Sequence, residues 1–64
     1  MNKEEILWTA SIAFAKNISC EDLKYSDYMY GKEDLTDRVW EYVEEIKQFG
    51  RVAFYDKYKE FRLY

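Results

Sequence analysis

The chain contains no histidine and no proline, one cysteine and two glycines among 64 residues, and each shortage excludes something. Without histidine it lacks the usual general base, the usual partner of a serine or cysteine nucleophile and the commonest zinc ligand. The expectation is a protein that is not an enzyme and binds neither cofactor nor metal. Without proline, and with only Gly31 and Gly50 to break the chain, the sequence lacks the turn punctuation of a small β-domain and favours helices. One cysteine, Cys20, makes no internal disulfide, so packing must hold the fold, and a reducing cytoplasm suits it. The densest apolar run, Ile6 to Ala15, is too short to span a bilayer and follows two glutamates rather than a basic segment. Neither a membrane span nor a signal peptide is expected.

What is present is apolar and aromatic material: hydrophobic residues are 48% of the chain and aromatics 20%, enough for a core in one small domain covering residues 1–64. The charge is unevenly placed. Residues 1–45 hold 11 acids and 5 bases, whereas residues 46–64 hold 2 acids and 5 bases, giving an acidic body and a basic end.

Caps and periodicity predict an all-α domain of three helices. Asn2 followed by Glu5 reads as an N-cap with its capping-box partner, opening a first helix over 3–16. Eight of the ten residues from Ile6 to Ala15 are apolar, so this helix should be covered on more than one side. Ser19 caps a second helix from Cys20 to Tyr30, with Ile18 and Leu23 as its hydrophobic staple and Gly31 as its stop. Asp34 opens a third, whose apolar period continues through Val39, Val43, Ile46, Phe54, Tyr58 and Phe61. Gly50 lies on that stripe and either bends or breaks the helix; a continuous or gently bent helix is the expectation. Continuous over 35–62, it would reach about 40 Å and overhang its domain. The overhanging rings would then need cover from a fold-back, a second copy or another protein.

Three surfaces carry functional possibilities. Tyr25, Tyr28, Met29 and Tyr30 crowd one short stretch and do not all face inward, which suits a protein-binding patch, although tyrosines also serve as the edge of a small core. Asp37, Glu41, Glu44 and Glu45 share one side of the third helix, with Glu33 and Asp34 at its start. Such a row can imitate nucleic-acid phosphates, or simply complement the helix dipole. Glu41 and Glu45 as a catalytic carboxylate pair give way to a solvated face, and Cys20 reads as a small core residue. At the other end Lys47, Arg51, Tyr55, Lys59 and Arg62 fall at three- and four-residue steps, a basic and aromatic face able to track a nucleic-acid backbone. A helix-turn-helix reader fits poorly, because three acids would stand where phosphates lie.

In size and composition the whole chain resembles the small proteins with which bacteriophages and mobile elements block host machinery, anti-CRISPR proteins and polymerase inhibitors among them, with no shared motif. The resemblance implies inhibition in the host cytoplasm. The expected function is therefore an interaction module that blocks a nucleic-acid-handling protein by occupying its surface or mimicking phosphates. The alternatives are a small nucleic-acid-binding transcriptional regulator using the basic end, and a homodimer zipped through Phe54, Tyr58 and Phe61. No small-molecule substrate is expected.

Overall fold

A computed structural model describes the backbone of residues 2–29 and 33–61, and it is all-α over those residues. Helix α1 spans Lys3–Ala15, α2 Cys20–Lys24, α3 Thr36–Phe49 and α4 Arg51–Lys57; short 3-10 turns cover Asp27–Met29, Glu33–Leu35 and Lys59–Phe61. The predicted caps form. The Asn2 side chain accepts from the Glu5 amide at 2.9 Å, and Ser19 Oγ accepts from the Asp22 amide at 3.1 Å.

Helix α1 ends on a left-handed residue, Asn17, at φ 53°. The Asn17 amide bonds the Phe14 carbonyl at 3.0 Å and the Ile18 amide reaches back to Ala13 at 3.3 Å, the paired bonds of a Schellman stop. That reversal carries Ile18 onto the core and starts α2 beside α1.

As its composition demands, α1 is covered on more than one side. Ile6, Ala10 and Ala13 pack with Leu23, Met29, Val39 and Val43, while Leu7 packs with Ile46, Phe54 and Tyr58. Phe14 and Tyr42 touch both groups, so the two form one interior with α1 running through it. No buried side-chain nitrogen or oxygen among the described residues lacks a hydrogen-bond partner.

Three expectations are corrected. The second helix does not continue to Tyr30: it stops at Lys24, because Ser26 takes the Leu23 carbonyl with both its hydroxyl, at 2.8 Å, and its amide, at 3.1 Å. A serine that bonds the nearby backbone offers the chain an alternative to another helical turn. Tyr30 and Gly31 lie outside the described residues. Asp34 does not cap α3; it sits within the 3-10 turn, and α3 begins at Thr36 without a side-chain cap.

The third correction is the largest. Gly50 breaks the predicted long helix, at φ 90° and ψ 160°, a backbone region essentially reserved for glycine. Its amide closes α3 onto the Ile46 carbonyl at 2.7 Å and its carbonyl opens α4 by accepting from Phe54 at 3.1 Å. Helix α4 then runs back along α3. Glu45 and Lys57 would stand about 18 Å apart on a straight helix, yet their charged atoms are 3.5 Å apart. The Tyr42 and Tyr58 rings meet edge to face at 5.7 Å, and Phe54 lies 4.9 Å from Tyr58. Lys3 Nζ sits 5.6 Å from the Tyr58 ring centre and 5.7 Å from that of Phe61, tying the C-terminal rings to the start of α1. The longest dimension is 29 Å, so the described residues form no overhang; the fold-back buries Phe54 and Tyr58 and half-buries Tyr55 and Phe61.

Candidate functional site

Helix α2 is only five residues long, and its short reach sets Glu21, Lys24 and Tyr25 on one face by their three- and four-residue spacing. The start of α3 stands opposite. Together they line a groove made of Cys20, Glu21, Lys24, Tyr25, Asp34, Thr36 and Asp37. Tyr25 caps the C-terminal end of α2 and is 76% exposed, and Lys24 Nζ lies over its ring at 5.8 Å. Of the other lining residues, Asp34 and Asp37 are exposed and Thr36 is buried. The groove is thus an aromatic plate beside carboxylates from three elements, Glu21 on α2, Asp34 in the 3-10 turn and Asp37 on α3, with one intrachain cation already on the plate.

The structure brings some of the expected contact residues together and separates others. Tyr25 and Asp37 share the groove. Tyr28 is half-buried nearby in sequence, and Met29 is fully buried among Leu23, Val39 and Val43, where it serves the core and offers no surface to a partner. Tyr30 lies outside the described residues. Glu41 is exposed. Glu44 accepts a hydrogen bond from Trp40 Nε1 at 2.8 Å, with Lys47 Nζ over the same indole at 4.6 Å, forming a rib along α3. Glu45 turns the other way: it accepts from the Tyr58 hydroxyl at 3.2 Å and pairs with Lys57, so it clamps α4 to α3. The acidic row is therefore two exposed carboxylates, Asp37 and Glu41, followed by two that are engaged.

The basic face is rearranged by the break at Gly50, since three- and four-residue steps define one face only along one helix. Arg51 lies 5.8 Å from the Tyr55 ring centre and donates to its hydroxyl at 3.4 Å; Ser11 Oγ donates to the same oxygen at 3.1 Å. Burial alone would raise the Tyr55 phenol, but donation from Ser11 and Arg51, with the Arg51 charge, brings it below its ordinary value. Burial pushes the Tyr58 phenol up; donation from Lys57 works against this and the Glu45 charge adds to it. Bonding to Tyr58, then the Glu45 charge, holds Lys57 protonated above its usual range. Lys59 is exposed, and Arg62 lies outside the described residues. Phe54 and Tyr58 are buried and Phe61 half-buried, so the rings expected to meet a second copy are packed within the chain itself.

Sequence reasoning missed two other surfaces. Trp8, within the apolar run of α1, is 49% exposed beside Glu4, Glu5 and Asn2, and its four-residue step from Glu4 was the available signal. Phe49 and Val52, at 62% and 85% exposure, flank the Gly50 turn, where Phe49 shares a small apolar recess with Ala53 and Phe54 beside the Glu45–Lys57 pair. Cys20 is a free cysteine, half-exposed at the groove. Among the described residues no group of side chains is arranged to hold a metal ion, and no helix is long and apolar enough to cross a membrane. No protein-family model matches the chain, and no curated protein or solved structure is significantly similar to it.

Proposed function

We propose that this chain is a non-enzymatic interaction module that blocks a nucleic-acid-handling protein, presenting the groove between α2 and α3 to that partner. The observation that supports it is the meeting of an exposed tyrosine with carboxylates from different elements: Tyr25, at the end of α2, lines one groove with Asp34 from the 3-10 turn and Asp37 from the start of α3. Tyrosine supplies rigid amphipathic contact area with few torsions to freeze, and the carboxylates suit the cationic surface with which a protein holds phosphates. Glu41 extends the negative charge along α3 by one further turn. The setting is a host cytoplasm, as for the phage and mobile-element inhibitors that the chain resembles in size and composition.

Immobilised protein incubated with native-cell extract tests this reading. The expected result is capture of a nucleic-acid-handling protein that a duplex oligonucleotide displaces and that Tyr25→Ala with Asp37→Asn no longer retains. Capture that neither the oligonucleotide nor these substitutions affect would refute it. Direct, steeply salt-dependent binding of the chain itself to DNA, lost on Lys47→Glu with Arg51→Glu, would favour the nucleic-acid-binding regulator instead.

A further inference from the structure

The groove between α2 and α3 carries more negative charge than its own lining answers. The carboxylates of Glu21, Asp34 and Asp37 share it with a single ammonium, that of Lys24, and all four side chains are exposed. Among the described residues no cation pairs with any of the three carboxylates; Lys24 lies over the Tyr25 ring instead. At 5.8 Å from the ring centre its ammonium stands near the outer limit, about 6 Å, at which a ring face attracts a cation, so it is loosely held. Tyr25 is 76% exposed and the groove has a volume of about 500 Å³, which leaves room beside the ring for an incoming side chain. We propose that the groove seats one arginine side chain of the partner, its guanidinium stacked on Tyr25 in place of the Lys24 ammonium and its N–H groups donating to the carboxylates of the lining. This rests on the groove being the partner-binding surface and names the group that surface takes hold of.

Two features select arginine over the other cations a partner offers. The described lining supplies one ring. A planar guanidinium covers a single ring face while its N–H bonds stay in plane for acceptors at the side, whereas a methylated ammonium is held by several rings placed around it. The acceptors also come from three elements, which suits a fork of five donors better than a compact, strongly hydrated ammonium. Lys24 shows how an ammonium behaves there, since it rests near the ring and pairs with none of the three carboxylates. Arginine is in addition the side chain that grips a phosphate through two parallel hydrogen bonds, so a partner arginine held in this groove is withdrawn from nucleic acid.

The test titrates the full nitrogen-15-labelled chain at low salt with Nα-acetyl-arginine amide, and in parallel with the corresponding amides of lysine and of citrulline, the uncharged analogue of arginine, following backbone amide shifts. Saturable shifts confined to residues 20–25 and 34–37 are expected, with arginine bound at least about fivefold more tightly than lysine and citrulline not bound. Tyr25→Leu should remove the preference for arginine over lysine. Asp34→Asn with Asp37→Asn should weaken arginine binding at least about tenfold. Lys24→Gln, which vacates the ring, should tighten arginine about threefold and lysine less. Equal affinity for arginine and lysine, shifts centred away from the groove, full binding by the Asp34 and Asp37 variant, or no saturation by about 100 mM overturns the proposal. Groove-dependent capture of a partner from extract without arginine binding would remove the arginine and leave the interaction module standing; arginine binding without a captured partner would keep the arginine site and remove the module.

Discussion

At the scale of single residues, Gly50 carries more consequence than any other. A Cβ built there meets nothing within 4 Å, so a substitution is opposed by backbone conformation and not by crowding. Gly50→Ala is expected to lower the monomer's stability by about 1–3 kcal/mol, measured by urea denaturation at micromolar concentration. D-alanine, introduced by chemical synthesis, should be tolerated, since its mirror-image preference accepts φ 90°. Asn17 occupies the other positive-φ position, at 53°, and Asn17→Gly should stabilise by a few tenths to about 1 kcal/mol in the same measurement.

The two perturbed phenols separate in alkali. Tyr55 is shifted down, so its contribution is present above the ordinary phenol pKa of about 10 and is lost as pH falls through its folded value. Tyr58 is shifted up, so its contribution is present below about 10 and is lost as pH rises through its folded value. Ultraviolet titration of tyrosinate should show one early and one late phenol. Tyr55→Phe should remove the early one and Tyr58→Phe the late one; coincident titration would contradict the Ser11–Tyr55–Arg51 contact.

At the scale of elements, the caps set where helices begin and local competition sets where they end. Ser19→Ala should cost about 1 kcal/mol through the lost bond to the Asp22 amide, measured by thermal or urea unfolding. The caps at Asn2 and Ser19 were legible because they are local: a side chain and an amide three residues on. The end of α2 was not, since Tyr25, Tyr28 and Met29 keep a helical period while the Ser26 hydroxyl takes the Leu23 carbonyl away from another turn. Gly50 was misread for a different reason. A stripe symmetric about position 50 looks the same whether the helix continues or doubles back, and contacts in space such as Tyr42 with Tyr58 and Glu45 with Lys57 distinguish the two. Glu45 was legible as an acid on the outer row but not as the clamp on α4, and Met29 was legible as adaptable apolar surface but not as core.

At the scale of the whole molecule, the surplus of rings is divided. The fold-back hides Phe54 and Tyr58, while Tyr25 stays outside beside the carboxylates of α3. Phe54→Ala removes the largest fully buried side chain among the described residues and should cost about 3–5 kcal/mol, comparable to all that a core of this size supplies. Changes at the groove should leave stability nearly untouched and act on binding, because Tyr25 and Asp37 are exposed. Capture from native-cell extract with three forms of the chain compares the surfaces directly: wild type, Tyr25→Ala with Asp37→Asn, and Lys47→Glu with Arg51→Glu, each first shown to unfold within about 1 kcal/mol of wild type. The account predicts that the groove variant loses the partner at least tenfold while the basic-end variant keeps it. Loss by the basic-end variant with full retention by the groove variant would contradict it.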